Sequence, residues 1–282
     1  MFSAPRVCLP LPAADAPPPY TAEQLRGWEV QAGELAQSDL AALTEAGQAR
    51  LRAALQDAGL GVAAIRASGA DTLAEAFAQA RAWAAEYVVT PAPAGEDAAT
   101  WLSQAASLAE AHAVPLLVEN GPATLADTGQ HFAALLRRAP ADWIGAAFDP
   151  AGFTALREHA FLTAWMPGAL KTRLRLLRVA DATFETGAPA RLNHGNAEVK
   201  ELVSALLARG FDGLFALRPL GPTASEVETA VADFHALLAE LGAREAPPPS
   251  ARPPEHLERS NPSTAAPLDT ASAPLDPKGE RP

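Results

Sequence analysis

The sequence predicts an α/β fold, a (β/α)8 barrel of the TIM type followed by a Pro-rich C-terminal tail, on three observations. Short apolar runs alternate with alanine- and leucine-rich amphipathic stretches of helical length, which is the pattern of successive βα units. Runs such as Pro115-Leu116-Leu117-Val118 and Leu214-Phe215-Ala216-Leu217 are apolar on both faces, as parallel strands covered by helices outside and packed side chains inside must be. Eight such runs fall within residues 1–245, close to the usual length of about 250 for this barrel. An open doubly wound sheet is the competing architecture, but no Gly-rich phosphate loop follows the first run.

The expected strands are Arg6 to Leu11, Trp28 to Ala32, Leu60 to Arg66, Tyr87 to Thr90, Val114 to Glu119, Ile144 to Asp149, Leu174 to Asp181 and Leu214 to Arg218. Helices are expected over Asp39 to Ala58, Asp71 to Ala85, Glu96 to Ala113, Thr124 to Arg138, Phe153 to Met166, Ala197 to Arg209 and Ser225 to Leu241. Thr21-Ala22-Glu23-Gln24 reads as a capping box, in which the Thr hydroxyl and the Gln side chain each satisfy a free backbone N–H. It opens a first helix of only a turn or two. Residues 246–282 carry ten prolines and no aromatic side chain, too little apolar surface to offset the entropy of ordering, so they are expected to be a disordered tail whose partner is unknown.

With 49% hydrophobic residues the chain can close a sizeable core. A formal charge of −11 argues against a surface that tracks phosphates, so neither nucleic acid nor an anionic membrane is an expected partner. The single cysteine, Cys8, cannot form an internal disulfide. The proline-broken N-terminus lacks a signal-like apolar segment, and no run reaches the length of a membrane span. These features lead to a cytoplasmic expectation.

A barrel of this kind presents its chemistry at the C-terminal ends of the strands. Four runs end in charge: Val118-Glu119-Asn120, Phe148-Asp149-Pro150, Arg178-Val179-Ala180-Asp181 and Leu217-Arg218-Pro219. Glu119 and Asp149 are the candidate catalytic carboxylates. Arg178, Arg218 and Arg66, the last ending the third run, are candidate forks for a ligand's phosphate or carboxylate. The same five residues also suit a purely internal ion-pair cluster, and both readings stand at this point.

In order and spacing, "VPLLVEN", "IGAAFDP", "LLRVADA" and "GNAEVKELVSALLARGFDGLFALRP" resemble the sugar phosphate isomerase/epimerase family, the xylose isomerase-like barrels that also include endonuclease IV. The resemblance runs from about Leu60 to Pro219. It implies a divalent metal (Mn, Mg, Zn or Co) at the mouth, held by a Glu, an Asp, a His and a second Glu, and proton transfer between adjacent sugar carbons through an enediolate. By the same resemblance Glu119 takes the first Glu place and Asp149 the Asp place, while Asp181 matches the Asp that follows the family's His. Arg178 stands where the His is expected and Arg218 where the final Glu is expected.

Two cations thus replace one neutral and one anionic group. At ~4 Å and an effective dielectric of about 20 each guanidinium opposes a divalent ion by roughly 8 kcal/mol, and it has no usable lone pair. A degenerate metal site is expected, with no cofactor and with Arg178 and Arg218 taking the metal's electrostatic role by pairing with Glu119, Asp149 and Asp181.

His194, in Leu192-Asn193-His194-Gly195, lies in the loop after the seventh run, where the family's substrate approaches. It reads as a ligand-binding candidate or as a solvent-facing loop histidine. Trp28 is a candidate for stacking on a sugar ring near the mouth, or for packing between layers. No nucleophile elbow is present. The expected function is an isomerase/epimerase-like barrel for a small carbohydrate or sugar acid, with a non-catalytic, metal-free barrel as the alternative. A nuclease like endonuclease IV is disfavoured by the acidic charge.

Overall fold

In a computed structural model, residues 5–12, 20–95 and 97–242 are described. Two units divide the chain, Met1–Pro247 and Pro248–Pro282, and the expected tail from Ala246 lies outside the described residues. Ten strands are present among those described: β1 (Arg6–Leu11), β2 (Ala32–Ala36), β3 (Gly61–Arg66), β4 (Tyr87–Pro91), β5 (Leu116–Glu119), β6 (Ile144–Phe148), β7 (Leu174–Val179), β8 (Asp181–Ala182), β9 (Pro189–Ala190) and β10 (Leu214–Leu217). Eight of them form a closed parallel barrel in the order β1-β10-β7-β6-β5-β4-β3-β2. Closure is direct: Val7 lies opposite Phe215 on one side of β1, and Leu9 opposite Gly33 on the other. The two-residue strands β8 and β9 make a small antiparallel hairpin in the loop after β7.

Helices cover the barrel because their apolar faces have nowhere else to go. Leu202, Val203, Leu206 and Leu207 are buried along the helix Val199–Ala208, and Val227, Val231, Phe234, Leu237 and Leu238 along Ala224–Glu240. The expected capping box at Thr21 is present and opens the helix Ala22–Gly27. Gly210 ends the helix-to-strand turn before β10 with φ +68, a left-handed conformation that glycine adopts without strain. At the other end of that turn, a Cβ on Gly213 would lie 2.4 Å from the Arg175 carbonyl oxygen. The Gly-Phe-Asp-Gly segment is therefore set by backbone geometry at both glycines.

Four expected elements are corrected. The expected helix Asp39 to Ala58 is two helices, Gln37–Ala42 and Glu45–Ala58, the second capped by the Thr44 hydroxyl. The second strand begins at Ala32, where the expected one ended. Trp28 terminates the first helix and Glu29 turns with φ +55, so Val30 is tied back to the Leu25 carbonyl and only from Gln31 does the chain pair with β1. The expected helix Phe153 to Met166 is broken by a left-handed Arg157 into the short helix Pro150–Thr154 and a wide π-type turn, Phe161–Trp165. The helix expected from Thr124 starts at Gly129, with the Thr128 hydroxyl as its cap. No helix among the described residues is long and apolar enough to cross a membrane.

Candidate functional site

Side chains alternate along a strand, so the inner face of each barrel strand can be followed residue by residue. Cys8, Ala32, Ala64, Leu117, Leu176 and Ala216 lie in one interior apolar cluster. Two residues further along five of these strands stand Glu34, Arg66, Glu119, Arg178 and Arg218. A fully apolar layer is thus capped, at the C-terminal mouth, by a layer made of charge.

Arg178 is the centre of that layer and is only 1% exposed. Its Nη1 and Nη2 donate to the two carboxylate oxygens of Glu34, the Nη2 bond being 2.7 Å, and its Nε donates to Glu119 at 2.7 Å. A buried guanidinium is tolerable only because it is bracketed in this way by two carboxylates. Burial alone would depress the Arg178 pKa, but Glu119 and Glu34 outweigh it and push it well above its ordinary value. The mirror effect falls on Glu34: burial would raise it, yet Arg178 at hydrogen-bond distance, with Arg66 and Arg218 nearby, brings it down to about 2. Glu119 likewise resists the upward push of burial and is lowered by Arg178, Arg66 and Arg218.

Arg66 and Arg218 are different in kind. Arg66 reaches Glu119 with Nη2 at 2.8 Å, and Arg218 with Nη2 at 3.4 Å, yet each side chain keeps about a third of its surface exposed (32% and 35%). Burial and the like charge of Arg178 lower the Arg218 pKa, against the pull of Glu119. Both arginines line a cleft of about 410 Å³ at the mouth, together with Glu34 and Asp39. Three guanidiniums face Glu34 and Glu119 within the ion-paired layer, and Asp39 balances the third across the cleft.

Asp149 ends β6 beside this group. Its backbone N–H donates to the Asn120 side chain at 2.7 Å and its carbonyl accepts from Asn120 Nδ2 at 2.8 Å, so the ends of β5 and β6 are locked together. The carboxylate caps the following short helix by accepting from the Ala151 N–H at 3.1 Å. Burial, and next the Glu119 charge, push its pKa upward.

The expected pairing of Arg178 and Arg218 with Asp149 and Asp181 is corrected. Among the described residues, neither aspartate forms an ion pair with them. Glu34, which sequence reasoning missed, is the second partner of Arg178. Asp181 turns away from the cluster and accepts from the backbone N–H groups of Ala182, Gly195 and Ala197, pinning the hairpin loop. A Cβ on Gly195 would lie 2.3 Å from that carboxylate, which accounts for the glycine. His194, one residue earlier, is exposed. Trp28 packs edge-on against Tyr20 with centroids 5.8 Å apart. The alternation of β2 held the signal for Glu34: a carboxylate in phase with buried Ala32 has to meet a cation.

A divalent cation does not fit this donor set. Two of the four places that would hold it are guanidiniums, Arg178 and Arg218, which have no lone pair to give, and the Oε2 of Glu119 already accepts from Arg178. What the arrangement can do is hold a negative group against Arg66 and Arg218 above a fixed, neutralised floor.

Among solved structures, similar folds include a xylose isomerase domain protein from Planctomyces limnophilus (13% identity, TM-score 0.68, covering 86% of this chain and 99% of that one). A D-tagatose 3-epimerase-like protein is similar at 13% identity (TM-score 0.67, 84% and 98%). A xylose isomerase-like TIM barrel protein from Mycobacterium smegmatis, in complex with magnesium, is similar at 15% (TM-score 0.65, 86% and 98%). No curated protein matches the sequence. Residues 22–239 match the xylose isomerase-like TIM barrel family, and the chain belongs to it.

Proposed function

We propose that this barrel binds or acts on a small anionic carbohydrate, a sugar acid or sugar phosphate, at a mouth that works without a resident metal. The observation that carries the reading is the contrast within the arginines: Arg178 is consumed by Glu34 and Glu119, whereas Arg66 and Arg218 retain exposed surface in the cleft. The carbohydrate class is supported by fold relatives such as the D-tagatose 3-epimerase-like protein. The acidic net charge keeps nucleic acid out of the proposal, and lone Cys8 suits a cytoplasmic setting.

Isomerisation in this mouth requires a carboxylate that moves a proton between adjacent carbons. Glu119 stays ionised but weakly basic under three guanidiniums; Asp149, pushed upward by burial, is the stronger base of the two. The exposed arginines would stabilise a developing enediolate oxygen. A second, non-catalytic reading is favoured by how completely Arg178 occupies both glutamates.

Thermal shift with glucuronate, glucose 6-phosphate and glucose, each with manganese or with chelator, tests the proposal. The anions should stabilise the protein equally in both conditions and glucose should not. Stoichiometric manganese or zinc that survives purification and is lost in Glu119→Ala overturns it. Turnover of an anionic sugar abolished in folded Glu119→Gln or Asp149→Asn supports the catalytic version, and turnover unchanged in both overturns that version.

A further inference from the structure

We infer that Asn120-Gly121, at the end of β5, is a site of spontaneous deamidation, held in check by the hydrogen bonds between the Asn120 side chain and the Asp149 backbone. It is a modification site built into the mouth, and it stands whatever ligand the mouth takes.

The chain has four asparagines, and Asn120 alone is followed by glycine. Asn193 precedes His194, Asn196 precedes Ala197, and Asn261 precedes Pro262, which has no backbone N–H. Deamidation begins when the backbone nitrogen of the next residue attacks the side-chain amide carbon, a closure that a Cβ on that residue obstructs and glycine leaves open. The Gly121 nitrogen bonds to Asn120 Cγ, the Cγ–Nδ2 bond breaks, and ammonia leaves with the proton that the nitrogen gives up. Water then opens the cyclic imide at either carbonyl, leaving aspartate or isoaspartate at position 120.

Nucleophile and target are held differently. The Gly121 N–H makes no hydrogen bond among the described residues. Asn120, by contrast, is 4% exposed and both ends of its amide are engaged, Oδ1 accepting from the Asp149 N–H at 2.7 Å and Nδ2 donating to the Asp149 carbonyl at 2.8 Å. The amide has little slack, since a Cβ on Gly152 would lie 3.2 Å from Nδ2. Both hydrogen bonds have to break before the amide carbon can turn towards Gly121. Local opening of the β5 and β6 ends is therefore the gate of the reaction.

Both products change the mouth. An ionised aspartate only accepts, so it sets a carboxylate oxygen against the Asp149 carbonyl where Nδ2 had donated. Isoaspartate inserts one methylene into the backbone directly after Glu119, displacing the strand end that aims that carboxylate into the charged layer.

The test is peptide mapping by mass spectrometry of the full-length protein, incubated at mildly alkaline pH either folded or in urea. In urea Asn120 should be the first asparagine converted. In the folded protein it should convert about tenfold or more slowly than in urea, the margin expected from breaking two hydrogen bonds. Gly121→Ala should suppress conversion at position 120 in both states; the substitution fits, because a Cβ at 121 meets nothing within 4 Å. Asn120→Asp reproduces one product and should unfold at a lower temperature than the parent, whereas Gly121→Ala should not. An Asn120 that converts in urea but stays intact in the folded protein overturns the inference, as does a Gly121→Ala variant that converts as fast as the parent. Equal rates in the two states, or an Asn120→Asp variant as stable as the parent, overturn the gating role of the Asp149 contact.

Discussion

Two adjacent layers of the barrel interior, built by the same strands, obey opposite rules. Ala32, Ala64, Leu117, Leu176 and Ala216 fill the lower layer with small and medium apolar side chains. Two residues later the same strands present Glu34, Arg66, Glu119, Arg178 and Arg218. The lower layer stabilises by excluding water, and any group of the right volume serves. The upper layer is tolerable only as a set, because each buried charge is offset by a named partner. Packing is therefore locally replaceable and pH-independent, whereas the buried Arg178–Glu34–Glu119 core of the mouth stands or falls together and is tied to titration.

The largest expected effect breaks the set at its centre. Arg178→Met leaves Glu34 buried without its hydrogen-bonded cation and Glu119 with only the partly exposed Arg66 and Arg218, and should cost about 3–5 kcal/mol by urea unfolding at pH 7. Leu117→Ala in the lower layer should cost a comparable ~2–5 kcal/mol through the cavity it opens. The pH dependence separates them. In Arg178→Met the stranded carboxylates acquire raised folded-state pKa values, so part of the loss returns as the pH falls and they protonate. The Leu117→Ala deficit should stay flat over the same range. Equal pH profiles for the two variants would show that the mouth is not an electrostatic unit.

Acid sharpens the comparison in the unmodified protein. The Glu34 pKa falls on folding from an ordinary 4.5 to about 2, and Glu119 moves the same way, with Arg178 the chief opponent of burial at both. A depressed folded-state pKa gives stability that is present above the unfolded value and lost as the pH falls through the folded one. Stability should therefore decline from about pH 4.5 towards pH 2. Glu34→Gln should flatten that decline while lowering stability at pH 7; an unchanged acid slope would remove Glu34 from the account.

Within the charged layer, the exposed arginines should behave unlike Arg178. Arg66→Gln and Arg218→Gln each leave Arg178 between its two glutamates, so stability should move by only about 1 kcal/mol or less. Affinity for an anionic ligand should fall about tenfold or more in titration calorimetry. A large loss of stability with unchanged affinity would mean that they are structural members of the cluster.

The barrel was legible because its strands are apolar on both faces, and seven of the eight runs fall on the observed strands. The second was misplaced because Trp-Glu-Val-Gln-Ala alternates as a half-buried strand would, while the true strand carries a glutamate on its inner face. That glutamate makes sense only against Arg178, 144 residues away, and no local pattern spans that distance. Arg178, Arg218, Arg66 and Glu119 were visible as charges ending apolar runs, and the structure brings them together. Asp181 looked equivalent because the seventh run continues to it without a break. The chain leaves the barrel at Val179, however, and the carboxylate is used by three backbone N–H groups of a loop that sequence pattern does not specify.

Asp149 stands at the boundary between the two kinds of residue, and its substitution should have the smallest effect. Its carboxylate caps a helix, a role an asparagine oxygen fills equally well. Burial first, and the Glu119 charge next, raise its pKa on folding. A raised acid pKa works opposite to that of Glu34: the folded state holds the proton more tightly, so stability falls as the pH rises from the unfolded value of 3.8 through the folded one. Above that window the ionised carboxylate is a net cost. Asp149→Asn should therefore raise the unfolding midpoint slightly at pH 7, with the gain closing as the pH falls towards 4. A loss at pH 7 would show instead that the Asp149 charge is held by Arg218 and Arg178, and would make it a sixth member of the mouth cluster.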